Sequence, residues 1–182
     1  FTDQFLRDPA GNLVAVDQGW VNAGATVTRG LEVGALTSGK LWEGAWTAGI
    51  DGSKLLEKKS RPLPNADFGK SEVGLFTYTG DLGLKWKHTA YLSAKHGNWS
   101  GLLQNVYRAG YKDQVLPGVA SGRIVPSNYN PKVDAYSIFN ASVSYTGIKS
   151  LTLTAGIKNL FDEDPPFAIT YDSNSGAGSS WE

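Results

Sequence analysis

Between residues 135 and 161 apolar and polar side chains alternate so regularly that only extended backbone can sort them onto two faces. Phe139, Ala141, Val143 and Tyr145 alternate with Asn140, Ser142 and Ser144, and then Leu151, Leu153, Ala155 and Ile157 alternate with Thr152, Thr154, Gly156 and Lys158. Gly147 to Ser150 reads as the turn between two strands. The second strand runs into Asn159-Leu160-Phe161-Asp162 and then Glu163-Asp164-Pro165-Pro166-Phe167, where the prolines remove the N–H groups that a ladder needs. A soluble sandwich and a lipid-facing wall both show this alternation, so the choice between them rests on the remainder of the chain.

Reading by alternation predicts six full strands, at about 25–36, 41–51, 84–95, 99–111, 135–146 and 151–161, after a strand stub at the start. Their connections alternate in length. Short turns at Ser38-Gly39-Lys40, His96-Gly97-Asn98 and Gly147 to Ser150 close three hairpins, whereas long stretches at Gly52 to Gly83, at Lys112 to Asp134 and from Glu163 onward join or follow them. Repeated long connections are uncommon in a compact soluble domain. Barrels of the outer membrane have this asymmetry, with short periplasmic turns and long external loops.

The faces agree in most strands. Val27, Leu31, Val33 and Ala35 oppose Thr26, Thr28, Gly30, Glu32 and Gly34, and Trp42, Trp46, Ala48 and Ile50 oppose Glu43, Thr47, Gly49 and Asp51. Leu84, Trp86, Ala90, Leu92 and Ala94 oppose Lys85, Lys87 and Lys95, three cations on one face that require water. Trp42, Trp99 and Tyr145 fall near short turns, where an interfacial aromatic girdle belongs. Strand 99–111 fits less well, since Asn105 shares a face with Trp99, Leu103, Tyr107 and Tyr111; its face is mixed or a bulge shifts it. Arg29 lies on an apolar face and is tolerable only close to an interface.

Composition removes several functions. Lys plus Arg and Asp plus Glu both number 17, so net charge argues for neither a nucleic-acid partner nor an acidic tail. There is no cysteine, hence no disulfide, thiolate metal site or thiol nucleophile. No apolar run approaches the roughly 20 residues of a membrane helix, although a barrel strand crosses lipid with only about 9–11 alternating residues. His88 and His96 sit about 26 Å apart on one strand, too far to share a metal. Asp162-Glu163-Asp164 is read as a solvated loop start rather than a calcium site. Gly176-Ala177-Gly178 lacks the strand, helix and Lys context of a phosphate loop. No catalytic constellation, metal site or cofactor is expected. Ligand contact is assigned to Trp20, Arg123, Tyr129, Tyr171 and Trp181 in the external segments and to Arg108 on the inward face, where aromatic planes and cations grip a planar or anionic chelate.

Three passages carry a family resemblance: Asn22-Ala23-Gly24-Ala25-Thr26-Val27-Thr28-Arg29-Gly30-Leu31-Glu32, the stretch from Trp86-Lys87 through Ser100 to Gly110-Tyr111-Lys112-Asp113, and Asn159-Leu160-Phe161-Asp162 before its Pro-rich loop. In that order and spacing they resemble the C-terminal barrel half of TonB-dependent outer-membrane receptors. The resemblance implies an all-β, antiparallel up-and-down meander, part of a large transmembrane barrel in a Gram-negative outer membrane. Residues 1–182 are then one partial barrel domain, with the plug, the region that engages TonB and the last strand outside it. The implied partners are outer-membrane lipid, TonB and a small-molecule metal chelate. The implied function is import of a scarce nutrient complex, foremost a ferric siderophore. A passive porin-like channel and a soluble β-sandwich binding module are the alternatives. The two sheet edges are expected at residues 1–6 and 151–161.

If the apolar face meets lipid, Val143→Asp or Leu153→Asp will hinder barrel assembly at a depth-dependent cost of roughly a few kcal/mol, while Ser142→Asp and Thr154→Asp will be tolerated. Heat-modifiable gel mobility of the intact protein reads the difference; equal damage from both sets would speak against a barrel.

Overall fold

The computed structural model describes residues 4–17, 24–76, 82–113, 117–123, 125 and 130–166. Along the chain run β1 (Phe5–Arg7), β2 (Leu13–Val16), β3 (Ala25–Leu41), β4 (Gly44–Arg61), β5 (Trp86–His96), β6 (Trp99–Arg108), β7 (Tyr111–Lys112), α1 (Pro117–Ala120), β8 (Lys132–Val133), β9 (Tyr136–Ile148) and β10 (Leu151–Ile157). Six strands form one sheet in the order β10-β9-β6-β5-β4-β3, and β1-β2 and β7-β8 form two small ribbons of their own. Every pairing in the large sheet is antiparallel and joins strands adjacent in that list, the meander that the alternation predicts. Among the described residues no helix is long and apolar enough to cross a membrane.

Two-residue turns join β3 to β4, β5 to β6 and β9 to β10. Each contains a residue in the left-handed region, Trp42 (φ 52°), Gly97 (φ 56°) and Ser150 (φ 60°), as expected where a tight turn must match the twist of its strands. The turn expected at Ser38-Gly39-Lys40 is not there. Those residues lie inside β3, and Gly39 faces Trp46 across the ladder; a Cβ on Gly39 would stand 2.9 Å from the Trp46 indole nitrogen. The glycine makes room for a cross-strand ring and does not break the strand. Trp42 consequently sits in the turn itself, 90% exposed. Likewise Gly147 belongs to β9, and only Lys149 and Ser150 turn the chain.

Three further expectations change. β4 continues to Arg61, so the first ten residues of the expected loop 52–83 are strand. The opening stub is not an edge of the large sheet; Phe5–Arg7 pair with Leu13–Val16 instead, and the edges are β3 and β10. Strand 99–111 ends at Arg108, and its register with β5 and β9 is unbroken, so its face is mixed and not bulged. Tyr111 starts β7 and is buried against Phe76 and Val133.

The register aligns one apolar face across the sheet. Ala35, Ile50, Ala90, Asn105 and Phe139 stand in one row, and Thr37, Ala48, Leu92, Leu103 and Ala141 in the next. That face is bare: Leu31, Val143 and Leu153 are 54%, 43% and 50% exposed, and among the described residues the buried hydrophobic ones are Phe76, Tyr111 and Val133, none of them in the large sheet. A sandwich would bury those leucines and valines against a second sheet. Trp99 and Tyr145 are register partners near the short turns, their rings 4.6 Å apart.

At the far end of β10 the sequence Asn159-Leu160-Phe161-Asp162 forms a pinned turn. Asn159 lies in the left-handed region (φ 50°); its side chain accepts from Glu163 N at 3.0 Å and donates to Glu163 O at 3.0 Å. Its own N–H donates to Asn140 Oδ1 at 3.0 Å, while Asn140 Nδ2 donates to Gln104 Oε1 at 3.1 Å. Phe161 meets Phe139 edge-on at 5.3 Å. Asn159→Ala removes two hydrogen bonds and places an alanine in a conformation costly for Cβ, so it should destabilise the fold by about 1–3 kcal/mol, and Asn159→Gly by less. The temperature at which the folded gel band of the intact protein disappears checks both; no shift for either variant would show that the turn is not a stabilising anchor.

Candidate functional site

Period-two geometry places the residues opposite the apolar face in equally regular rows. Glu32, Ser53, Lys87, Arg108 and Tyr136 are consecutive register partners from β3 to β9, and Gly34, Asp51, Thr89, Val106 and Ile138 form the adjacent row. Carboxylates therefore come from β3 and β4 and cations from β5 and β6. A cavity of about 570 Å³ lies over these rows, lined by Glu32, Asp51, Ser53, Lys87, Thr89 and Arg108 among others. The rows stand at the end of the sheet away from the two-residue turns. The side chains of this wall can interact by charge and hydrogen bond.

The segments above this end are folded. Phe76, Tyr111 and Val133 make a small core with Leu82, Leu84 and Tyr136 against it. Its backbone ties are short: Lys112 N donates to Gly74 O at 2.8 Å, Phe76 N to Lys112 O at 2.8 Å and Asp113 N to Pro131 O at 2.7 Å. Lys132 donates to Asp134 at 2.8 Å, and that hydrogen bond raises the ammonium above the ordinary lysine pKa. Tyr136, the register partner of Arg108, packs against this cluster, which thus adjoins that row of the sheet.

Of the residues read as ligand contacts, Arg108 is in the cavity wall beside Lys87. Arg123 is exposed just beyond α1 and is not in that lining. Trp20, Tyr129, Tyr171 and Trp181 lie outside the described residues. Among the described residues no group of three or more His, Asp and Glu could hold a metal ion.

The apolar face carries a polar chain that alternation did not flag. Trp86 Nε1 donates to His88 Nδ1 at 2.9 Å, His88 Nε2 lies 3.2 Å from Asn105 Oδ1, and Asn105 Nδ2 donates to Ser137 Oγ at 2.9 Å and to Ile138 O at 3.2 Å. His88 also stacks on Tyr107 at 5.0 Å. The signal in the sequence was Asn105 on a greasy face. Its partners come from β5 and β9, which only the register reveals.

Among the described residues, a meander whose apolar face has no core behind it and whose polar face carries charge has the form of a transmembrane barrel wall. The chain belongs to the family described as TonB dependent receptor-like, beta-barrel, whose model matches residues 1–160. No curated protein and no solved structure matches it. The family is one of transporters in the outer membrane of Gram-negative bacteria and not an enzyme family. The apolar rows therefore face lipid, and the rows with Lys87 and Arg108 face the lumen.

Proposed function

We propose that the receptor captures a scarce metal chelate, foremost a ferric siderophore, above the lumen and imports it with energy delivered by TonB. In this reading residues 1–182 are one barrel domain, further strands close the wall from the open edges of β3 and β10, and a plug fills the lumen. The observation that carries the reading is the pairing of Lys87 and Arg108 on one lumen-facing row under the folded external segments. Two adjacent cations with carboxylates across the cavity favour an anionic, polydentate ligand whose oxygens take charge-assisted hydrogen bonds. Arg123, Trp20, Tyr129, Tyr171 and Trp181 supply further contacts from the external side.

Equilibrium binding and uptake of a radiolabelled anionic ferric chelate by intact cells tests this. Arg108→Ala should weaken binding about tenfold, the scale of one hydrogen bond to a charged group, and should spare a neutral chelate of equal size. A protonophore should abolish accumulation and leave surface binding intact. Arg108→Ala binding both chelates as wild type does would remove the ligand assignment, and accumulation indifferent to the protonophore would return the passive channel.

A further inference from the structure

β4 turns its alternation over halfway. Up to residue 54 its even-numbered side chains share the lipid face: Trp46, Ala48, Ile50 and Gly52 pair with Gly39, Thr37, Ala35 and Val33, and Lys54 with Leu31. The register with β3 then shifts between Arg29 and Gly30, leaving Leu56 unpaired, and beyond it Arg29 pairs with Glu57, Val27 with Lys59 and Ala25 with Arg61. The alternation of β3 is uninterrupted, so Arg29, Val27 and Ala25 remain on the face of Leu31 and Val33. The extra residue therefore re-aims Glu57, Lys59 and Arg61 outward, as bulges do. Were Leu56 instead paired in a continuous register, Lys58 would point to the lipid side and Lys59 to the lumen.

The result is a cationic patch on the outer wall. Arg29, Lys54, Lys59 and Arg61 share that face with a single carboxylate, Glu57, which lies 3.2 Å from Arg29 and 2.6 Å from Lys59 and holds the two cations side by side. The Arg29 side chain remains 74% exposed. Arg61 is braced over the Phe68 ring at 5.0 Å. On the opposite face of the same segment Ser60 donates to Glu72 at 2.6 Å.

Depth identifies what such a patch meets. His96, Trp99 and Tyr145 share the row beside the short turns, and Trp86 shares a row with Lys54, ten residues up β5 from His96. At about 3.3 Å per residue and a tilt near 40°, that spacing is about 25 Å, the height of the lipid-facing apolar band. Lys54 thus stands at the upper rim of the band, and by the same rise and tilt Arg29, Lys59 and Arg61 stand about 5, 10 and 15 Å beyond it, on the side of the outer-leaflet headgroups. A solute in the lumen lies behind the sheet and cannot reach them.

We propose that this patch binds the phosphate groups of outer-leaflet lipid and so anchors the external end of the β3–β4 hairpin to the membrane surface. The intact receptor in neutral detergent is titrated with lipid A, with phosphatidylcholine and with inorganic phosphate alone, and binding is read by shift of its unfolding temperature. Lipid A should bind, phosphatidylcholine should not, and the lipid A affinity should fall with added salt. Arg29→Gln with Lys59→Gln should weaken lipid A binding about 25-fold, roughly fivefold per cation, while Lys58→Gln, one residue away on the lumen face, should leave it unchanged. Equal loss with Lys58→Gln, unchanged affinity in the double variant, or a response to inorganic phosphate as large as to lipid A would each overturn the assignment. Should the double variant not fold, salt-independent lipid A binding by the wild type would overturn it equally.

Discussion

Backbone hydrogen bonding in lipid governs this structure. A strand in hydrocarbon has no water for its N–H and C=O groups, so each must find a neighbouring strand. The six-stranded sheet meets that demand by antiparallel ladders from β3 to β10, and it does so without a protein core on its apolar face. In water such a sheet would expose leucines, valines and tryptophans at a prohibitive cost. In an outer membrane the same residues are solvated by lipid tails, and the buried core that a soluble domain of this length needs is replaced by the bilayer.

Cross-strand fit refines the wall. Gly49 lies under the Tyr91 ring on the lumen face, where an added Cβ would come within 2.6 Å of the ring, and Gly39 accommodates Trp46 on the lipid face. Large rings laid across neighbouring glycines cover backbone that would otherwise be bare, and they fix register by shape as well as by hydrogen bonds. The charged lumen rows and the cationic rim follow from the same pleat. One alternation, re-phased by the bulge in β4, decides which cations of β4 face the lumen and which face outward.

The six strands of the large sheet, their meander order, both faces and the family were legible in the sequence, because period-two alternation is local and survives without knowledge of partners. The turn at Trp42 was not. Gly39 looks like a turn residue until Trp46 is known to lie opposite it. The length of β4 was hidden by Lys54, Lys58 and Lys59, which resemble loop composition and in fact decorate a strand that rises beyond the lipid. Nothing local announces the bulge at Leu56, the small core of Phe76, Tyr111 and Val133, or the bonds of Asn105 to His88 and Ser137, since each joins residues far apart in sequence. Of the site, Arg108 was legible as an inward cation, and its neighbour Lys87 was placed on the correct face. That they are register partners in one cavity required the sheet.

The two-faced wall can be probed directly in β5, because residues 1–182 contain no cysteine and add no competing site for a spin label. Nitroxides placed in turn at residues 89 to 94 of the intact receptor in native membranes would report collisions with oxygen, enriched in lipid, and with a water-soluble nickel chelate. Oxygen accessibility should peak at Ala90, Leu92 and Ala94 and chelate accessibility at Thr89, Tyr91 and Ser93, in opposite phase. Profiles that rise and fall together, or that lack a period of two, would contradict a sheet with lipid on one side and lumen on the other.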